Sequence, residues 1–285
     1  MAYRSLQEIT EAAGKQQVPF WRAVLLDDMQ ERTVSEEESI HMMHNMWSAM
    51  LDAGAAYDGT LRSGSGLVGG MGQQMEEYRR QGNTLCGDFV ARVIQTALQM
   101  GESNACMKRI VAAPTAGACG VLPAVLIALY QDGRISDEMA VESLYVAAGI
   151  GQVIAERAFI AGAAGGCQAE VGSASAMASG ALVHLGGGTS EQIIHAAGMA
   201  LKNLLGLVCD PVAGLVEIPC VKRNVAGAVN ALACADMALA GITSRIPPDQ
   251  VIDAMKEIGE TMHVSLRETG EGGVANSPWA RDLRL

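Results

Sequence analysis

The lack of sustained period-two alternation is the feature of this 285-residue sequence that most constrains its fold. A half-buried strand needs apolar side chains at every second position, and no long segment of the chain has them. Apolar residues instead recur at helical spacing, as they do between Ile40 and Leu51. Ser35 and Glu38 have capping-box spacing just before this stripe, which predicts that a helix begins there. We therefore expect an all-α fold.

The same patterns predict a single multi-helix globular domain over 1–285, in which 1–34 forms a peripheral helical arm. Further helices are expected at 73–81, 87–100, 104–112, 136–159, 168–185, 189–205, 222–240 and 247–262. Two loops of small residues, 58–72 and 113–120, separate some of these helices. The glycine-rich C-terminus is expected to meander, and irregular backbone is where we expect a functional site.

Charge and cysteine usage exclude several classes of protein. A formal net charge of −11 argues against nucleic acid and anionic membranes as partners. The most apolar run, 121–130, is too short for a membrane span and contains Pro123, so we expect no membrane protein. The seven cysteines are an odd number without a disulfide-rich spacing. We therefore expect free thiols and a reducing, cytoplasmic location.

Three cysteines lie in a stretch, 165–222, that cannot be helical throughout. Two glycines precede Cys167, and Cys209 and Cys220 flank a segment that contains Pro211 and Pro219. Proline lacks the N–H group that a helix interior requires and pushes the preceding residue towards an extended conformation. The cysteines are therefore expected on irregular backbone with free N–H donors nearby, which suits an iron–sulfur cluster held by thiolates.

The spacing of these cysteines also has a simpler interpretation. Free cysteine is among the most buried residue types and often serves as a small hydrophobic side chain. Cys167, Cys209 and Cys220 do not have the close spacing of zinc or ferredoxin motifs. On spacing alone, ordinary burial is the favoured reading and a metal site is the alternative.

Several long motifs in the sequence favour the metal site. They are GAAGGCQAEVGSASAMA, LKNLLGLVCDPVAGLVEIPCVKRN, ADMALAGITSRIP, APTAGACGVLPAVL and SGSGLVGG. These motifs resemble the α chain of the iron–sulfur L-serine dehydratases. The resemblance implies a [4Fe–4S] cluster on Cys167, Cys209 and Cys220, and amino-acid degradation by elimination of water from L-serine. Cys119 is not assigned as a ligand, because the fourth iron of such an enzyme must stay open for the substrate.

Beside this resemblance, the two small-residue loops are expected to contact the substrate. Ser63 and Ser65 lie in the SGSGLVGG loop, and Thr115 lies in the APTAGACG loop. Small residues allow backbone N–H groups to point inward, an arrangement that suits a carboxylate. Taken alone, the first loop could equally be a flexible linker.

Two cations directly after Cys220 are candidates to receive the substrate carboxylate. Lys222 is closer to the cysteine in sequence, whereas the bidentate guanidinium of Arg223 is the better carboxylate binder. Each of them could instead pair with an acidic side chain of the chain itself. The acidic candidates are Glu170, Asp210 and Glu217.

The general base is not evident in the sequence. The histidines are His41, His44, His184, His195 and His263. None lies in a motif associated with proton abstraction, and single-chain members of the family that the sequence resembles carry such histidines on an additional N-terminal domain. We therefore expect a separate β chain and an oligomeric enzyme. The sequence ends at Leu285 without the terminal cysteine that caps the open iron in some family members, so water is the expected fourth ligand.

Three other functions remain open at this point. A related cluster lyase acting on another β-substituted amino acid, such as a cysteine desulfidase, would share the three cysteines. A pyridoxal-phosphate dehydratase would need a Schiff-base lysine, and none of the five lysines lies in a convincing context. A non-catalytic helical scaffold subunit would use the cysteines only for packing.

Overall fold

The computed structural model describes residues 3–283, so the ends of the predicted arm and of the C-terminal tail lie outside the described residues. Thirteen α-helices account for most of this range. They are α1 (Leu6–Gln16), α2 (Phe20–Arg32), α3 (Glu36–Ala55), α4 (Met71–Arg80), α5 (Gly87–Ala105), α6 (Val121–Gln131), α7 (Asp137–Arg157), α8 (Gly162–Gly165), α9 (Ser173–Leu185), α10 (Ser190–Lys202), α11 (Cys220–Leu239), α12 (Pro248–Thr261) and α13 (Pro278–Arg281). Within residues 3–283 no strand forms beyond one isolated bridge, and the all-α prediction is confirmed.

Helix α9 lies at the centre of the fold, packed against α7, α10 and α11. Every residue from Ser173 to Val183 is buried, and most of them are alanine, serine or glycine. Small side chains allow helix axes to approach closely, so one thin helix can be enclosed by three others. The region of α9 was predicted from the same run of small residues.

The N-terminal helices contribute to the same core. Leu6 and Ile9 of α1 and Phe20 and Leu25 of α2 are buried in the cluster that also contains the apolar side chains of α7. Helix α2 packs directly against α7. The single-domain organisation of the whole chain remains a prediction.

The capping signals identified in the sequence form in the structure. The Ser35 hydroxyl accepts a hydrogen bond from the Glu38 N–H, and the Glu38 carboxylate accepts one from the Ser35 N–H, which completes a capping box at α3. Thr189 and Gln192 form the same reciprocal pair at α10. Each cap satisfies N–H groups that have no partner inside the helix.

The prediction of a helix at 104–112 is wrong. Helix α5 continues to Ala105, because Gly101 lets it pass close to Val221 of α11. A Cβ added at Gly101 would lie 3.1 Å from the Val221 Cγ1 atom. The helix then stops at Met107, whose φ is +58°, and the Lys108 N–H bonds back to the Ser103 carbonyl at 2.8 Å. This left-handed termination leaves the following segment irregular.

Helix α6 was considered in the sequence only as an apolar run. Its residues from Val121 to Leu129 are all buried, and Pro123 lies in its first turn. Proline is tolerated there because the N–H groups of the first turn have no partner within the helix. No helix in residues 3–283 is both long enough and apolar enough to cross a membrane.

The capping box of α3 leads to a stability prediction. Replacing Ser35 by alanine removes the acceptor for the Glu38 N–H and should lower the free energy of unfolding by about 1 kcal/mol. Urea denaturation of the purified chain measures this change. Ser48→Ala, at an exposed position within the same helix, is the matched control and should not destabilise the chain. Equal effects of the two substitutions would contradict a capping role.

Candidate functional site

The structure brings together the three cysteines that the sequence singled out. Cys167 directly precedes a π-helical turn over Gln168–Gly172, Cys209 lies in an irregular segment, and Cys220 is the first residue of α11. Their exposed fractions are 3%, 4% and 9%. Burial raises the pKa of the Cys209 thiol, and the neighbouring Cys167 and Cys220 raise it further. These thiols are therefore close enough to interact electrostatically.

The segment around Cys209 is held by the C-terminal part of the chain. The Cys209 N–H donates to the Leu266 carbonyl at 2.8 Å, and the Glu268 N–H donates to the Cys209 carbonyl at 2.7 Å. The Asp210 carboxylate accepts a hydrogen bond from the Val274 N–H at 2.7 Å. The C-terminal meander predicted from its glycines is thus part of the site, because it fixes one of the three cysteines.

The backbone around Cys167 is fixed by a glycine and a glutamine. Gly166 has a φ of +77°, and a Cβ there would lie 2.8 Å from the Leu207 carbonyl. The fully buried Gln168 side chain donates to the Met255 carbonyl at 3.0 Å and accepts from the Gly206 N–H at 2.9 Å. The π-helical turn begins at this residue, and such turns often occur at functional sites.

Glu170 places a carboxylate beside the thiols. Its Oε1 atom accepts a hydrogen bond from the Thr115 hydroxyl at 2.8 Å, and its Oε2 atom lies 3.9 Å from the Cys209 sulfur. A Cβ added at Gly117 or Gly162 would lie 3.1 or 2.8 Å from these carboxylate oxygens, so the two glycines leave room for the group. Burial raises the pKa of Glu170. The sequence analysis treated this residue only as a partner for Lys222 or Arg223.

The two cations predicted to receive a carboxylate differ in their surroundings. The Arg223 guanidinium donates a hydrogen bond to the Val208 carbonyl at 2.8 Å. Its Nη2 atom also lies 2.8 Å from Asp210 Oδ1, an ion pair without the alignment of a hydrogen bond. Arg223 also lowers the pKa of Cys167, which burial raises to about 11. Lys222 is exposed and forms no ion pair within residues 3–283. Of the acidic partners considered from the sequence, Asp210 is therefore the one that engages Arg223.

The serine loop contacts the segment between the cysteines. The Ser63 and Ser65 hydroxyl oxygens lie 3.1 Å apart, and Ser65 donates to the Glu217 carboxylate. The Ser63 hydroxyl also accepts a hydrogen bond from the Val68 N–H at 3.3 Å, which closes the loop. The serine loop is therefore hydrogen-bonded both within itself and to the segment between Cys209 and Cys220, and its role in binding a substrate stays a prediction.

An open cleft of about 830 Å³ lies between this loop and the segment that joins Cys209 to Cys220. Its lining includes Ser65, Asn104, Met107, Ala116, Leu215 and Glu217. Ala116 is adjacent to Thr115, so the second small-residue loop also reaches the cleft. The cleft has the size and the mixed lining of a small-molecule site.

Asn224 is a structural residue of the site that the sequence analysis missed. Its buried amide donates to the Gly117 carbonyl at 2.8 Å and to the Cys220 carbonyl at 3.0 Å. Its side-chain oxygen accepts from the Gly120 N–H at 2.8 Å. One side chain thus ties the Thr115 loop to the first turn of α11. A buried polar position on an otherwise apolar helix face was the signal for it.

The donor set fits a multi-iron cluster better than a single metal ion. No group of three or more His, Cys, Asp or Glu side chains in residues 3–283 converges closely enough for one ion. A cubane takes its thiolates on separate iron atoms, so its ligands lie further apart than those of a mononuclear site. Cys167, Cys209 and Cys220 supply three buried thiols, which are the donors that such a cluster takes. Cys119 is also buried, but its thiol is directed at the Met100 carbonyl, 3.7 Å away.

The chain is similar to known proteins over most of its length. A family model described as "Serine dehydratase alpha chain" matches residues 15–275. The "Probable L-serine dehydratase, alpha chain" of Bacillus subtilis is 46% identical over 281 residues, which cover 99% of this chain and 94% of that protein. The corresponding protein of Latilactobacillus sakei is 53% identical over 198 residues, which cover 70% of this chain and 95% of that protein.

A longer relative matches over about half of its own length. The "L-serine dehydratase" of Streptomyces coelicolor is 39% identical over 261 residues. The match covers 89% of this chain but 56% of the Streptomyces protein. That protein therefore contains a substantial region outside the part shared with this chain.

Asn224 provides a test of how the site is held together. Asn224→Ala leaves the Gly117 carbonyl and the Gly120 N–H without this partner, so the free energy of unfolding should fall by about 2–3 kcal/mol. Urea denaturation of the purified chain measures the fall. Asn45→Ala on the exposed face of α3 is the control and should change stability by less than about 0.5 kcal/mol. A loss no larger than that of the control would show that these bonds do not hold the site.

Proposed function

The chain belongs to the serine dehydratase alpha-chain family, and we propose that it is the α subunit of an L-serine dehydratase, a lyase that converts L-serine to pyruvate and ammonia. The observation that carries this proposal is that three buried cysteines lie near helix starts and an irregular segment, and that the segment between Cys209 and Cys220 lines an open cleft. The relatives with the highest coverage are named for the same reaction.

Cys167, Cys209 and Cys220 would hold a [4Fe–4S] cluster in this proposal. With only three thiolates available, the cluster would supply one open, Lewis-acidic iron that assists departure of the substrate β-hydroxyl. All seven cysteines are free thiols, which agrees with a cluster protein of the reducing cytoplasm. Arg223 lies close enough to Cys167 to lower its thiol pKa, so it would stabilise the thiolate that binds iron.

The remaining residues of the site would bind and orient the substrate. Ser63 is proposed to donate its hydroxyl, and Ser65 its main-chain N–H, to the serine carboxylate at the cleft, because the Ser65 hydroxyl already donates to Glu217. Thr115 would act through Glu170, whose carboxylate it orients with a 2.8 Å hydrogen bond. Lys222 remains a proposed carboxylate contact at the surface, whereas Arg223 is engaged by Asp210.

The general base is proposed to come from a separate β chain. His184 contacts Glu142 at 3.2 Å, His195 accepts from the Ser244 N–H, and His263 pairs with Ser265. These partners account for the histidines away from α3, while His41 and His44 lie on the outer part of that helix. The names of the alpha-chain relatives and the longer Streptomyces protein support a second polypeptide. A hetero-oligomer is the proposed assembly.

Iron content tests the cluster assignment. After anaerobic reconstitution, Cys167→Ser, Cys209→Ser and Cys220→Ser should each lose most of the bound iron and sulfide, because serine hydroxyl is a poor ligand for iron at neutral pH. Iron and sulfide assays with the visible spectrum measure the loss. Cys234→Ser is a matched control, since Cys234 is equally buried but contacts Asn203 and Asn230 away from the three cysteines. Full iron content in the three variants would disprove the assignment and favour a packing role.

Turnover tests the substrate and the partner. The reconstituted chain alone should release almost no pyruvate from L-serine, because the proposed base is on the β chain. The same chain, tagged and isolated anaerobically from its native cells, should carry a second polypeptide in fixed stoichiometry and should turn over L-serine faster than L-cysteine. Full turnover by the isolated chain would contradict the β-chain proposal, and a preference for L-cysteine would favour the desulfidase alternative.

A further inference from the structure

Glu217 is a buried carboxylate for which the chain supplies no cation. Its side chain is 7% exposed, and its recorded side-chain contact is the hydrogen bond from Ser65. No basic side chain in residues 3–283 forms an ion pair with it. Buried carboxylates are rarely left in this state, because removal from water costs free energy that a partner normally offsets. A cation from outside the chain would complete the pairing.

The nearby arginines are not available to it. Arg223 is engaged by Asp210 and the Val208 carbonyl. The Arg62 guanidinium, on the serine loop, donates to the Gly59 and Leu61 carbonyls at 3.2 and 2.7 Å.

The main chain at Glu217 is held by hydrogen bonds close in sequence to Cys220. The Glu217 N–H donates to the Leu215 carbonyl at 2.7 Å, and the Glu217 carbonyl accepts from the Val221 N–H at 3.0 Å. The adjoining Ile218 carbonyl accepts from the Val212 N–H at 2.8 Å. Glu217 is therefore fixed relative to Cys220, which begins α11 three residues later. A binding group placed this way needs no rearrangement before it meets a ligand.

Glu217 is the one charged residue among those that line the 830 Å³ cleft within the described part of the chain. The rest of the lining is apolar or neutral, so a cation entering the cleft has this single carboxylate to pair with. Glu170 and Asp210, the other acidic groups described in the site, are outside the lining: Thr115 holds Glu170 beside Cys209, and Asp210 contacts Arg223.

We propose that Glu217 binds the α-ammonium group of the substrate and thereby selects α-amino acids over the corresponding 2-hydroxy acids. This inference rests on the proposed function. A zwitterionic amino acid brings one cation into the cleft, and an ion pair with a fixed carboxylate offsets the loss of its hydration. A 2-hydroxy acid such as glycerate has the same carboxylate and β-hydroxyl but a 2-hydroxyl in place of the ammonium, so it can offer Glu217 a hydrogen bond but no ion pair.

The test compares Glu217→Gln with the wild-type chain in its anaerobically isolated complex. Glutamine keeps an oxygen that accepts the Ser65 hydrogen bond and removes only the charge. Calorimetric titration with L-serine and with D- and L-glycerate gives the affinities without relying on turnover. We expect Glu217→Gln to weaken L-serine binding about tenfold or more, with the glycerate affinities changed less than about twofold. KM for L-serine should rise more than kcat falls.

Two further variants control the comparison. Glu217→Asp keeps the charge on a shorter side chain and should retain part of the preference for L-serine. Glu191→Gln removes an exposed charge from the first turn of α10 and should leave both affinities unchanged. Thermal unfolding of each variant establishes that it is folded. If Glu217→Gln does not fold, Glu217→Asp takes its place in the comparison of L-serine and glycerate affinities.

The possible outcomes distinguish a failure of the Glu217 proposal from a failure of the proposed function. Unchanged L-serine affinity in Glu217→Gln, or equal losses for L-serine and glycerate, would overturn the role of Glu217 while wild-type turnover of L-serine kept the proposed function intact. A wild-type complex that neither binds nor turns over L-serine would overturn both.

Discussion

The close packing of α9 against α11 is the constraint on which the rest of the structure depends. Cys167 lies one short turn before α9 and Cys220 begins α11, so the approach of these helices sets where two of the three thiols lie. The approach requires small residues: a Cβ at Gly227 of α11 would lie 2.8 Å from Val171, and the Ser175 hydroxyl bonds directly to the Gly227 carbonyl at 2.8 Å. The alanine, serine and glycine residues of the core thus allow the close helix packing that determines where these two thiols lie.

Electrostatic balance is the second condition of the site. Burial raises the pKa values of the three thiols, and the neighbouring Cys167 raises those of Cys209 and Cys220 further. Arg223 supplies positive charge near Cys167 but is partly neutralised by Asp210. The proposed cluster and the ammonium group of the proposed substrate would each add positive charge beside these thiols and carboxylates.

Much of the fold could be predicted from local sequence signals, because capping boxes and helical periodicity act over only a few residues. These signals identified the starts of α3 and α10 and the buried run of α9. The end of α5 could not be predicted, since it depends on contact between Gly101 and Val221 across 120 positions of sequence. The cysteines could be singled out from the sequence. Tertiary contacts, which the sequence does not reveal, pair Arg223 with Asp210 and leave Glu217 without a cationic partner among the described residues.

The attachment of Cys209 to the C-terminal meander has a consequence for the order of biosynthesis. The main-chain bonds to Leu266 and Glu268, and the bond from Val274 to Asp210, join Cys209 and Asp210 to residues that are translated about sixty positions later. A nascent chain still attached to the ribosome has all three cysteines before it has the segment that holds the second one. The hydrogen bonds around Cys209 can therefore form only after residues 266–274 have been synthesised, and a chain cut short before residue 266 would keep all three cysteines but lose the bonds that hold the second one.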